Sequence, residues 1–105
     1  MALRDLEIDR DRLAAICREH GVSRLEVFGS FVHGDADSDS DLDLMVAFRP
    51  GAEISLAVFI SLRQKLSELF GRPVDLLTRT SVELSPNKYF RRFATRKTEP
   101  IYEQA

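Results

Sequence analysis

The sequence predicts a small α/β (α+β) protein, a mixed sheet with helices packed mainly on one face. Three observations carry that reading. Short strand-like runs alternate with amphipathic helical stretches along the whole chain, and the connections between them are short. A length of 105 residues, 44% of them hydrophobic, supports one core and not two. One domain spanning 1–105 is therefore expected.

The first helix opens at Asp9, an N-cap type, with Ile8 before it and Leu13 inside it in the hydrophobic-staple arrangement. Leu13, Ile16, Cys17 and His20 share one face, and Gly21 is a stop. Leu25 to Phe28 reads as a short strand running into Gly29, and Ser30 to Gly34 has room for one helical turn. Leu42 to Phe48 is a second strand, closed by Arg49-Pro50-Gly51. Ser55 caps a longer helix whose buried stripe is Phe59, Leu62, Leu66, Leu69 and Phe70, ended by Gly71. Pro73 to Thr78 is a third strand. Ser85-Pro86 opens a helix, as N-cap and first turn, that runs to about Lys97. Pro100 to Glu103 forms a short edge strand, where proline is tolerated.

Composition narrows the function classes. A formal charge of −2 gives no global pull on nucleic acid. The single cysteine, Cys17, has no internal disulfide partner and fits both a core position and a reducing compartment. No apolar run approaches the roughly 20 residues of a membrane span, and no signal-peptide pattern opens the chain. A cytoplasmic protein without a membrane association is expected.

Aspartate occupies every second position from Asp35 to Asp43. Two carboxylates about 4–5 Å apart repel by roughly 3–4 kcal/mol at an effective dielectric near 20. Such a run is either spread along a solvated loop or held together by a cation. Asp35, Asp37 and Asp39 alternate with Ala and Ser after Gly34, which is loop composition, and their expected role is solvation and turn formation. An EF-hand calcium loop needs Gly at its sixth position and Glu at its twelfth; here Ser40 and Val46 stand there, so that reading fails. Asp41 and Asp43 flank Leu42 at the start of a core strand, so their carboxylates project to one side while Leu42 and Leu44 face the other.

Gly29-Ser30, at a strand-to-helix junction, is separated from Asp41 by ten residues. Backbone N–H groups and a hydroxyl there suit phosphate oxygens. A carboxylate pair on the next strand offers hard oxygen ligands to Mg²⁺, which typically binds one or two carboxylates plus substrate phosphates. The two half-sites complement each other.

Gly29, Ser30, Asp41 and Asp43, with Ser40-Asp41-Leu42-Asp43-Leu44 in the SDxDL form, resemble the signature of the nucleotidyltransferase superfamily related to DNA polymerase beta. Asp75, in Pro73-Val74-Asp75-Leu76-Leu77, fits the place of the family's third carboxylate. The resemblance spans about Leu13 to Tyr102 and is greatest to the minimal nucleotidyltransferases (MNT), several of which are MntA-type antitoxins paired with HEPN-domain ribonuclease toxins. It implies a nucleotidyltransferase fold and Mg²⁺-dependent transfer of AMP from ATP to a hydroxyl. Two Mg²⁺ ions would be held by Asp41 and Asp43, with Asp75 completing the shell, and Gly29 and Ser30 would hold the β and γ phosphates. The expected acceptor is a tyrosine of a cognate HEPN toxin. An antitoxin that acts by binding alone, and a transferase for a small molecule or an RNA end, are the alternatives. Many minimal members carry Arg before the glycine that ends the short helix; here His33 precedes Gly34, and neither His20 nor His33 is given a role.

Lys88 to Lys97, KYFRRFATRK, holds five basic residues and no acid. On a helix, Tyr89, Phe93 and Phe90 are expected to face the core and Lys88, Arg91 and Arg92 solvent. The segment is then either a solvated face or a surface for an acidic partner or for RNA.

Overall fold

The structure, a computed structural model, describes residues 2–37 and 39–104. After a 3₁₀ turn at Leu3–Asp5 come α1 (Arg10–Glu19), β1 (Val22–Phe28), α2 (Ser30–His33), β2 (Leu42–Phe48), α3 (Leu56–Phe70), β3 (Val74–Thr78), α4 (Arg79–Glu83), α5 (Lys88–Arg96) and β4 (Glu99–Glu103). The strands form one mixed sheet in the order β3-β2-β1-β4. β1 is antiparallel to both β2 and β4, and β2 is parallel to β3. A parallel neighbour needs a crossover, and α3 supplies it. Pro100 sits on the edge strand β4, as expected.

The expected caps form at α1 and α3: Asp9 accepts from the Arg12 amide, and Ser55 from the Val58 amide. Leu13, Ile16 and Cys17 of α1 and Leu62 and Leu66 of α3 pack on Leu25, Val27, Leu42, Leu44 and Val46 of the central strands. Burial pushes the Cys17 thiol up to about 12. His20 joins α1 to α3. Its Nδ1–H donates to the Ile16 carbonyl at 2.7 Å, because that oxygen can only accept, so Nε2 accepts from the Ser61 hydroxyl at 3.0 Å.

Four features depart from expectation. β1 begins at Val22, three residues early, because Val22 still pairs with Phe48. A short helix, α4, follows β3 directly, with the Thr78 hydroxyl accepting from the Ser81 amide. The N-cap of α5 is Asn87, whose Oδ1 accepts from Tyr89 and Phe90, so Ser85-Pro86 lies outside the helix. The long helices lie on one sheet face, as expected, and a small second cluster forms on the other, where Val82, Ala94 and Phe90 pack on Phe28 and Met45. On α5 it is Phe90 and Ala94 that turn inward, while Tyr89 and Phe93 are exposed.

Candidate active site

The C-terminal end of β1 and the N-terminal ends of β2 and β3 meet at one end of the sheet. Phe28 pairs with Asp43, and Asp43 pairs with Asp75. Residues paired across a ladder share a face, so Asp43 and Asp75 project together on neighbouring strands about 4.8 Å apart. Asp41, just before β2, lies two residues from Asp43 and faces the same way, whereas Leu42 and Leu44 are fully buried on the opposite face. Asp41 and Asp75 are exposed and Asp43 is partly buried. Burial, then the charges of Asp75 and Asp41, push the Asp43 carboxyl up to about 6. The three acids read from the sequence are thus one electrostatic cluster.

Gly29 turns the chain from β1 into α2 with φ +74° and ψ −146°, a region essentially closed to residues with a Cβ. A Cβ built there would collide with Oδ2 of Asp43. The turn and the carboxylate therefore fit against one another. Ser30 begins α2, whose first amides have no carbonyl within the helix to receive them. Gly34 ends α2 in the left-handed region. His33, in the last position of α2, lies against Phe93 of α5 with ring centroids 5.7 Å apart.

The other aspartates belong to the loop. The Asp37 carboxylate accepts from the Asp39 amide and the Ser40 hydroxyl, a local turn, and Asp35, Asp37 and Asp39 are all exposed. Sequence reasoning missed the residue that ties this loop down. Arg72 donates to the Ser40 carbonyl at 3.1 Å and stacks 4.8 Å over the Phe31 ring, linking the residue before Asp41 to α2. It also missed Glu26, which is 1% exposed on the face that carries Asp43 and is paired with Arg24 at 2.7 Å and Arg79 at 2.8 Å. The available signal was an acid inside the apolar run Leu25-Glu26-Val27-Phe28.

Hard carboxylate oxygens around a proton-hungry Asp43 are the donor chemistry a divalent cation requires. Among the described residues no group of three or more His, Cys, Asp or Glu side chains is arranged to hold a metal ion by itself. Magnesium keeps several waters and takes its remaining ligands from substrate phosphates, so an open cluster beside a phosphate-type turn fits it.

The nucleotidyltransferase domain model matches residues 10–99, from the start of α1 to the start of β4, and so takes in the whole carboxylate cluster. The chain belongs to the nucleotidyltransferase domain family. A solved structure that carries a provisional minimal-nucleotidyltransferase name is 36% identical, with a TM-score of 0.70 over 95% of this chain and 96% of that one. The protein adenylyltransferase MntA of Thermococcus cleftensis is 45% identical over 64 residues, 60% of this chain and 62% of that protein. MJ0435 of Methanocaldococcus jannaschii, which carries a provisional protein-adenylyltransferase name, is 37% identical over 76 residues, 72% of this chain and 78% of that one. A toxin-antitoxin structure with AMP-PNP shares the fold at 17% identity, with a TM-score of 0.65 over 92% of this chain and 75% of that one.

Proposed function

We propose that this nucleotidyltransferase, working as one domain, transfers AMP from ATP to a tyrosine hydroxyl of a HEPN-domain toxin and thereby acts as an adenylylating antitoxin. The observation that carries the chemistry is the Asp41, Asp43 and Asp75 cluster, whose Asp43 fits against the Gly29 turn. The acceptor is supported by the adenylyltransferase names of the relatives and by structural neighbours solved as MntA pairs with HEPN toxins, one of them holding a tri-AMPylated toxin from Shewanella oneidensis.

The residues divide the work. The Gly29 turn and the Ser30 hydroxyl hold the β and γ phosphates, which aligns the α-phosphorus for in-line attack. Two magnesium ions, held by Asp41, Asp43 and Asp75 with phosphate oxygens, would neutralise charge on the leaving pyrophosphate and activate the acceptor. The acceptor oxygen attacks the α-phosphorus, its bond to the bridging oxygen breaks, pyrophosphate leaves, and the exposed Asp75 takes the hydroxyl proton. Arg72, through the Ser40 carbonyl, keeps the segment before Asp41 in place.

The test is to incubate the protein with ATP, Mg²⁺ and the HEPN-domain protein encoded beside it, then weigh that protein by mass spectrometry. A gain of one or more AMP units, absent with Asp41→Asn, is expected. A stable complex with no gain in mass would instead make it an antitoxin that neutralises by binding.

A further inference from the structure

We propose that the outward stripe of α5, formed by Tyr89, Arg92, Phe93 and Arg96, is the surface on which the acidic face of the HEPN partner docks. The proposal rests on the partner reading above and adds to it the place of contact.

The four residues stand at i, i+3, i+4 and i+7, the spacing of one helix face. That face points away from the sheet. Phe90 and Ala94 occupy the inward side against Phe28 and Met45. Tyr89 is 73% exposed and Phe93 51%, so two large aromatic rings stand in solvent on a helix that already has an adequate buried side. Aromatic residues and arginine are the types enriched at the centre of protein interfaces, because each covers much area and retains a polar or charged group for pairing.

Charge identifies the occupant. The segment Lys88 to Lys97 carries five of the fifteen basic residues of the chain and no acid, whereas the chain as a whole is −2. The salt bridges of the described residues involve Arg24, Lys65 and Arg79, and none involves a cation of this segment. The surface is therefore a basic stripe with apolar rings in it on an otherwise acidic molecule, and its complement is an acidic protein face with apolar residues at its centre. A polyanion such as RNA matches the cations, but it would meet the acidic excess of the rest of the molecule.

Position links the stripe to the chemistry. Phe93 contacts His33 at the end of α2, one turn from Ser30. Docking on α5 thus borders α2, the short helix that begins at Ser30 directly after the Gly29 turn.

The experiment compares the wild-type protein, R92E/R96E and Tyr89→Ala for binding to the neighbouring HEPN-domain protein by calorimetry at two salt concentrations. Melting temperature, Mg²⁺-ATP affinity and binding to a mixed-sequence RNA oligonucleotide are measured on wild type and on each variant without the partner. The expected result is about tenfold or greater loss of partner affinity in both variants. For R92E/R96E the salt dependence should also weaken, with melting temperature and ATP affinity unchanged. If wild type binds the HEPN protein and both variants bind it equally well, the surface is wrong while the partner reading stands. If wild type does not bind it at all, the partner reading falls and takes this occupant with it. Loss of ATP affinity with partner affinity intact would overturn the proposal by assigning the stripe to nucleotide. Loss of binding to a mixed-sequence RNA oligonucleotide with partner affinity intact would do so in favour of RNA.

Discussion

Gly29 and Ser30 are neighbours with different physical tasks, and substitutions separate them. Gly29→Ala places a Cβ at φ +74° and into the Asp43 carboxylate. The backbone conformation alone costs about 1–3 kcal/mol, and moving Asp43 disturbs the cluster as well. Both melting temperature and Mg²⁺-ATP affinity should therefore fall. Ser30→Ala leaves the backbone free to keep its conformation and removes one hydroxyl. It should leave melting temperature nearly unchanged and weaken ATP by roughly 1.5–3 kcal/mol, the worth of a hydrogen bond to a charged group. Calorimetry on the two variants checks the division; equal ATP affinity in wild type and Ser30→Ala would remove Ser30 from the phosphate site. At this scale the sequence was informative, because Gly29, Asp43 and Asp75 are fixed by local rules: a glycine-only turn and a period-two strand. Arg72 was not legible, since its partners, Ser40 and Phe31, lie more than thirty residues away.

The elements show where local pattern loses to tertiary context. In α5 two i, i+4 pairs compete for the inward face, Tyr89 with Phe93 and Phe90 with Ala94. Size favours the first pair, yet the smaller second pair fits against Phe28 and Met45. α4 gave no apolar periodicity to read because a charge anchors it: Arg79 pairs with the buried Glu26 and with Glu83. That arrangement predicts an asymmetry. Arg79→Ala leaves the Glu26 carboxylate in the interior with Arg24 alone and should cost about 2–3 kcal/mol in a urea titration. Glu26→Leu removes the buried charge and should be close to neutral, since its arginine partners are both at least a third exposed and remain solvated. A neutral Arg79→Ala would show that α4 is held by Val82 packing instead. In the loop before β2, Asp35→Asn and Asp39→Asn should leave AMP transfer intact, because neither carboxylate belongs to the cluster at the sheet end; abolition by either would redraw the site.

Across the whole molecule, the sheet brings three acids to one end, on and beside neighbouring strands. Asp43, with its carboxyl pushed up to about 6, binds its proton more tightly folded than unfolded. An unfolded aspartate titrates near pH 4. Between about pH 4 and 6 the folded chain holds the extra proton, so stability falls as pH rises through that window and stays lower above it. Solvent screening at a partly exposed carboxyl limits the effect to about 1–2 kcal/mol. The double variant Asp41→Asn with Asp43→Asn removes both the repulsion and the principal cation ligands. In EDTA at pH 7–8 it should melt at the same temperature as wild type or higher, and its Asp43 contribution to the pH 4–6 slope should vanish. Mg²⁺ should raise the melting temperature of wild type and leave the variant where it was, because only a folded state that binds the ion gains from it. AMP transfer by the variant should fall to background. Carboxylates engaged in structural ion pairs would behave in the opposite way, since breaking a buried pair costs about 3–5 kcal/mol. A clear drop in the variant's melting temperature in EDTA, with transfer retained, would make Asp41 and Asp43 structural and remove the cluster from the chemistry.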